Sequence, residues 1–219
     1  MSNGSIYVYG ARGHGKVLAD ILLARGDSEF LGFVDDDDKL HGERVLGFPV
    51  FGGQGWLEQQ SQSGPVRVAL GIGDSHGRER LAQRCEDLRI QVVTLVHPSA
   101  SVSKTANLEP GSVVMAQAAI NPNARVGRGA VINTGAIVEH DVEIGEFAQA
   151  APNSAIGGAS RLGPHSFLGM GAVMIQCVNV GRGTIVGAGS VVVRDLPDGV
   201  LAVGVPARVV RSVFEAVQT

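Results

Sequence analysis

Residues 132–145 read INTGAIVEHDVEIG, in which Glu139, His140 and Asp141 set a histidine between two carboxylates. Imidazole titrates near neutrality, and an acidic neighbour fixes its tautomer and raises its basicity, so the triplet has the parts of a general base. A second group of chemistry-bearing residues lies in YGARGHGK, where Gly10, Gly13 and Gly15 flank Arg12 and His14. Glycines between a strand and a helix can cradle a phosphate on the helix N-terminus. The spacing is not GxGxxG, and four consecutive aspartates, Asp35 to Asp38, stand where a dinucleotide enzyme would offer one acid, which argues against an NAD oxidoreductase. Asp37 and Asp38 read as a solvated loop. Cys85 and Cys177 lack a CxxC partner and fit reduced structural thiols of a cytosolic protein.

The elements that must position these groups follow two different periods. In residues 1–95 strands and helices alternate. Ile6 to Tyr9 is a short apolar strand, Lys16 to Arg25 a helix with Val17, Leu18, Ile21 and Leu22 on one face, and Phe30 to Val34 a second strand. Val66 to Ile72 is a strand, Asp74 an N-cap for a helix reaching Leu88, and Ile90 to Val96 a strand again. This pattern predicts an α/β, Rossmann-like domain with a small parallel sheet.

Over residues 96–197 a period of six takes over. An apolar residue recurs without insertion from Val96 to Val192, as in Val126, Ile132, Val138 and Ile144, and four residues after each stands a small residue or a valine in every hexad but the last. One large and one small inward position per hexad predicts a parallel β-helix of triangular section, three hexads to a turn. The 31 glycines, roughly double the usual ~7% share, then serve tight corners. Residues 198–219 form a tail, with a short helix expected over Ala207 to Val217.

His140 is third in its hexad, at a corner of the coil. Eighteen residues on, the same corner carries Gly158, which leaves room beside the imidazole and a free backbone N–H. Asp141 reaches the ring only if the corner bends the chain, because adjacent residues of an extended strand point to opposite sides. Glu139 is the weaker partner.

The hexad array resembles the left-handed β-helix acyltransferases. With YGARGHGK, FVDDDD, GIGD, INTGAIVEHD and the GVPAR ending, the whole chain resembles the bacterial sugar O- and N-acetyltransferases, which include sialic acid O-acetyltransferases and N-acetyltransferases acting on nucleotide-linked 4-amino-4,6-dideoxy sugars. The resemblance implies acetyl-CoA as cosubstrate, a homotrimer with coenzyme A in the groove between adjacent prisms, and a role in surface polysaccharide or glycan biosynthesis. It makes His140 the general base and Asp141 its supporting acid, shorter than the glutamate frequent in relatives, and Asn133 an active-site asparagine. Gln149 stands where many relatives carry a second histidine near the acetyl group. Gly158, Met170 and Ala188 match positions along the pantetheine and adenine, and Arg208 of GVPAR a phosphate contact. Arg12, Gly13 and His14 would meet the diphosphate of the nucleotide sugar, Asp35 and Asp36 its base or ribose, and Gly73 its close backbone approach.

A net charge of -3 without a basic stripe gives no footprint for nucleic acid. Neither a signal peptide nor a spanning helix is legible, so a cytoplasmic protein without membrane partners is expected. The leading expectation is N-acetylation of a nucleotide-linked amino sugar; the alternative is O-acetylation of sialic acid or another sugar hydroxyl, which leaves the nucleotide pocket without a purpose. A metal hydratase of β-helix type needs three converging histidines, whereas His97, His140 and His165 occupy different hexad positions and form no HxxxxH pair, so no metal is expected. A non-catalytic scaffold is the remaining reading.

Overall fold

The structure, a computed structural model, describes residues 4–213. The chain divides into two compact units, Met1–Pro98 and Ser99–Thr219.

In the first unit β1 (Ser5–Tyr9) leads into α1 (Gly13–Arg25) and β2 (Phe30–Val34). A hairpin of β3 (Arg44–Val45) and β4 (Phe48–Pro49) precedes α2 (Gln54–Ser63), and β5 (Val66–Leu70), α3 (Ser75–Asp87) and β6 (Gln91–Val92) complete the unit. The sheet runs β2-β1-β5-β6, all parallel. Leu18, Ile21 and Leu22 of α1 are buried, as the i, i+3, i+4 spacing requires, whereas Val17 lies one step outside that stripe and is exposed. Helix α1 begins three residues earlier than the sequence pattern suggests. It passes so close to the turn that a Cβ on Gly15 would lie 1.7 Å from the Gly10 carbonyl oxygen, a gap only glycine fills. Tyr9 is in register with both Val34 and Leu70, so β1, β2 and β5 end together, and the chain changes direction across the sheet between β1 and β5. That switch point, outside the carboxyl ends of parallel strands, is where open α/β sheets bind ligands.

The second unit is a parallel β-solenoid of two-residue strands. Its first face holds Val131–Ile132, Gln149–Ala150, Phe167–Leu168 and Ile185–Val186; its second holds Ile137–Val138, Ala155–Ile156 and Val173–Met174; its third holds Glu143–Ile144, Arg161–Leu162 and Asn179–Val180. Each residue pairs with the one 18 positions on, as Ile120 with Val138 and Val138 with Ile156. The first hexad position is buried from Val114 to Val192, stacking aliphatic side chains into one core column at about 2 kcal/mol for each fully buried Val, Leu or Ile. Glycines serve two separate needs. At the second position a Cβ would strike the next coil, as on Gly157, 2.5 Å from the Gln176 nitrogen; at the fourth position the backbone is left-handed, as at Gly189 with φ 67°.

The helix expected over Ala207 to Val217 does not form within the described residues. Arg208–Ser212 is a strand paired antiparallel with Val200–Val203, which pairs parallel with Ile185–Val186. The β-branched Val209 and Val210 favour that state, and the end of the solenoid offers an unpaired edge to receive it. The rest of the expected helix lies outside the described residues.

Candidate active site

Every sixth residue from Gly111 to Gly189 has positive φ, and the corner between the second and third faces places Asp141 at that position, φ 59°. The left-handed turn brings Asp141 round to the side of its neighbour, which an extended strand could not do. His140 Nδ1 lies 2.8 Å from Asp141 Oδ2. If the imidazole donates there, the other ring nitrogen, Nε2, is left as an acceptor. The carboxyl is held below its usual range first by the hydrogen bond from His140 and second by that from Asn123, whose Nδ2 donates to Oδ1 at 3.2 Å. Both side chains are more than half exposed, so the pair meets solvent or a ligand. Glu139 instead carries its backbone N–H to the Ile156 carbonyl, and its carboxylate makes no bond to His140 among the described residues.

Gly158 lies directly over the ring. A Cβ there would stand 2.7 Å from both His140 Cε1 and Nε2, so the glycine creates the space that the ring edge occupies. Its backbone carbonyl accepts from Cys177, at 3.0 Å, while its own N–H donates to no group among the described residues. A free base nitrogen beside a free backbone donor can take a proton and stabilise a developing oxyanion on one reacting carbonyl.

The remaining solenoid candidates gather elsewhere. Asn133, Met170 and Ala188 occupy the corner between the first and second faces, Gln149 is in the first-face strand Gln149–Ala150, and Arg208 opens the strand that closes that same sheet. Asn133 Oδ1 accepts from the Thr134 N–H at 2.8 Å, Met170 is exposed, and Arg208 folds onto the Ala207 carbonyl at 3.0 Å. Within one chain, the second face separates this group from His140, Asp141 and Gly158.

In the first unit a cavity of about 340 Å³ lies at the switch point, and Arg12, His14, Asp35, Asp36 and Gly73 line it. Gly13, at the start of α1, is exposed beside it. Asp35 accepts from the Ala11 N–H at 2.7 Å and the Asp37 N–H at 2.9 Å, so it braces the turn and both of its oxygens are used. Asp36 Oδ1 accepts from the Tyr9 hydroxyl at 2.7 Å and the Gln54 N–H at 3.0 Å. Burial first, and the Asp36 carboxylate next, push the Tyr9 phenol well above its ordinary value and keep it a donor. Burial lowers His14 to about 4, helped by the charge of Arg78, so its imidazole is neutral at pH 7. Arg12 pairs with Asp37 at 2.5 Å, which takes Asp37 out of the plain solvated-loop role.

Residues 5–85 match the PglD N-terminal domain family. A mutant of GDP-perosamine N-acetyltransferase from Caulobacter crescentus, solved with CoA and GDP-perosamine, is 41% identical over 95% of this chain and 98% of its own, with a TM-score of 0.89. This chain belongs to the hexapeptide-repeat sugar acetyltransferases. The acetyltransferase domain of PglB from Neisseria gonorrhoeae, solved with acetyl coenzyme A, is 34% identical over 95% of this chain and all of that domain, with a TM-score of 0.86. The UDP-N-acetylbacillosamine N-acetyltransferase of Bacillus subtilis is 35% identical over 120 residues, and the chain spans about half of that relative's length, 51%. The solenoid is thus the left-handed β-helix of this acetyltransferase family.

Sequence reasoning about the family missed four residues of the first unit. Tyr9 orients Asp36, His41 Nε2 bonds the Asp35 carbonyl at 2.7 Å, and the Gln54 N–H fixes Asp36. Arg78, fully buried in α3, donates to the carbonyls of Ile72 at 3.2 Å and Gly73 at 2.7 Å, and burial lowers its pKa to about 10. It holds the GIGD loop against the cavity. The available signal was an arginine at the inward i+4 position from the N-cap Asp74, ahead of the buried Leu81, Ala82 and Cys85.

Proposed function

We propose that this protein transfers the acetyl group of acetyl-CoA to the amine of a nucleotide-linked amino-deoxy sugar of the 4-amino-4,6-dideoxy type. The observation that carries the reading is the Asp141–His140–Gly158 corner, with one ring nitrogen held by the acid and the other beside a glycine. The amine nitrogen attacks the thioester carbonyl carbon, and its lone pair forms the new N–C bond. His140 Nε2 takes the proton that nitrogen sheds, while the Gly158 N–H donates to the oxyanion. Collapse breaks the C–S bond, and the leaving thiolate of coenzyme A takes the proton back from His140. Asp141 holds the imidazole in the tautomer that leaves Nε2 unprotonated.

The nucleotide would be held in the first unit by Arg12, Gly13, His14, Asp35, Asp36 and Gly73, with a neutral His14 as a hydrogen-bonding group and not a charge. Asn133 would contact the acceptor. Gln149, Gly158, Met170, Ala188 and Arg208 would line coenzyme A. Because these residues lie at two corners of one chain, a groove shared by two prisms of a homotrimer accommodates the division. Reading the enzyme as cytoplasmic, and its product as feeding surface polysaccharide or glycan biosynthesis, follows from these two substrates. No described helix is long and apolar enough to cross a membrane. The relatives' GDP-perosamine and UDP-N-acetylbacillosamine chemistry supports N- over O-acetylation. Free-thiol release from acetyl-CoA, measured with UDP-, GDP- and dTDP-linked 4-amino sugars and with free sialic acid, tests the reading. Turnover with a nucleotide-linked amine is expected; turnover with free sialic acid alone overturns it.

A further inference from the structure

We infer that Asn123 is a positioning residue for the general base: from the coil beneath, its amide holds the Asp141 carboxylate in the one orientation that pairs with His140. Resting on the acyl-transfer reading of His140 for its catalytic consequence, the inference starts from three stacked coils. Asn123 and Asp141 occupy the same corner one turn apart, both in the left-handed region, with φ 61° and 59°. Asn123 Nδ2 donates to Asp141 Oδ1 at 3.2 Å, and the other carboxylate oxygen faces His140 Nδ1 at 2.8 Å. One coil further down, Thr105 Oγ1 accepts the Asn123 N–H at 3.1 Å and lies 3.1 Å from Ser103 Oγ. A polar ladder therefore runs up the corner and ends on the imidazole.

The need for such a tether follows from exposure. The Asp141 side chain is half exposed, and an unrestrained aspartate samples three staggered χ1 wells, of which this one places an oxygen on the ring. One amide donor to an ionised acceptor is enough to select among them. The other charged groups of the groove beside Asp141 are Arg125 and Glu143, with Arg161 3.9 Å from Glu143; Glu139 is half-buried beside His140, and the coil above presents the uncharged Gly158. None of these changes in the variants below, so their fields cancel in the comparison.

The test has two arms. In the ligand-free protein, the His140 imidazole is titrated by NMR in wild type, Asn123→Ala and Asn123→Asp. The aspartate keeps the shape and the left-handed preference of asparagine but removes the donor and adds a repelling charge. A shift of the His140 titration to lower pH in Asn123→Ala is expected, because the carboxylate that favours the protonated ring is held less firmly. In turnover, Asn123→Ala and Asn123→Asp are each expected to lose roughly three- to tenfold in kcat, and the loss is expected to vanish when Asn123→Ala is combined with Asp141→Ala. An unchanged imidazole titration in Asn123→Ala overturns the inference, as does an Asn123→Ala loss that persists in the Asp141→Ala background, which would place Asn123 on the substrate. Absence of transfer by wild type to any amino sugar would fail the acyl-transfer reading alone, since the titration still decides the tether.

Discussion

Replacing Gly158 with alanine separates catalysis from folding. A Cβ at this position would stand 2.7 Å from His140 Cε1 and Nε2 and 3.2 Å from Cδ2. Ordinary contact begins near 3.4 Å, so the ring edge must retreat by about 0.7 Å. The cost in stability is small, because the obstacle is the far end of an exposed side chain and Gly158 is not among the positive-φ residues. Gly→Ala at such a site is worth about 0.4–1 kcal/mol in favour of the folded state through the unfolded chain, roughly cancelling the strain of moving the ring. Catalysis has no such reserve. A displacement approaching 1 Å of a reacting group costs on the order of 100-fold, about 2.7 kcal/mol of transition-state stabilisation. Thiol release from acetyl-CoA should therefore fall about 100-fold while the thermal midpoint stays within ~2 °C of wild type. Because Cys177 is exposed and free, the thiol reagent is blanked against enzyme without acceptor. Wild-type turnover by Gly158→Ala would refute the reading that His140 acts as base from the position its ring edge takes against Gly158.

His140→Ala should lose on the order of 10²–10⁴ in kcat with little change in acetyl-CoA binding, the range for removing a general base, checked by thiol release and calorimetric titration. His14, held near pKa 4 by burial, makes the first unit acid-sensitive. The unfolded imidazole binds its proton below about pH 6.5 and the native one only near 4, so stability is complete above 6.5 and falls as pH drops between them, by about 3 kcal/mol in total. Urea unfolding followed by the single tryptophan, Trp56, should show this fall in wild type and a flatter profile in His14→Gln. The two-corner division predicts complementation: mixed and reassembled His140→Ala and Met170→Asp subunits should regain up to about a quarter of wild-type activity, since each site would draw one corner from each of two chains. No recovery from a mixed oligomer would place the whole site in one chain.

The solenoid was legible because its inward positions recur at a fixed step, so every hexad from Val96 to Val192 repeats the same statement about burial. In the first unit the strands and helices with a clear apolar stripe were legible too, and α2 and the β3–β4 hairpin were not. Helix α2 buries only Leu57 at its heart, which leaves no stripe to read, and the β3–β4 hairpin has two-residue strands whose turn residues, Leu46 and Gly47, carry the positive φ values. The tail misled because Ala207 to Val217 has a mixed apolar pattern that suits a helix or a strand, and over Arg208–Ser212 the open edge at the end of the solenoid favours the strand.

The site was half legible, and the shortfall has a geometric cause. A position within the hexad says whether a side chain points in or out, but three hexads make a turn, so the same position recurs at three different corners. His140 and Gly158 differ by 18 and share a corner; Met170 and Ala188 also differ by 18 and share another, although all four are third in their hexads. Counting by eighteen rather than six separates the proposed base from Met170 and Ala188, the proposed cofactor contacts of the other corner, by residue number alone. The same counting resolves Asp141. Fourth positions at other corners include Gly129, Gly135, Gly171, Gly183 and Gly189, residues that mark a left-handed bend, and Asn123, Asp141 and Asn153 are polar types that tolerate one, although Phe147, His165 and Cys177 are bent there too. An acid following a histidine is poorly placed on a strand and well placed at such a bend. The adjacency that made the pair look strained is what brings carboxylate and imidazole to one side of the corner.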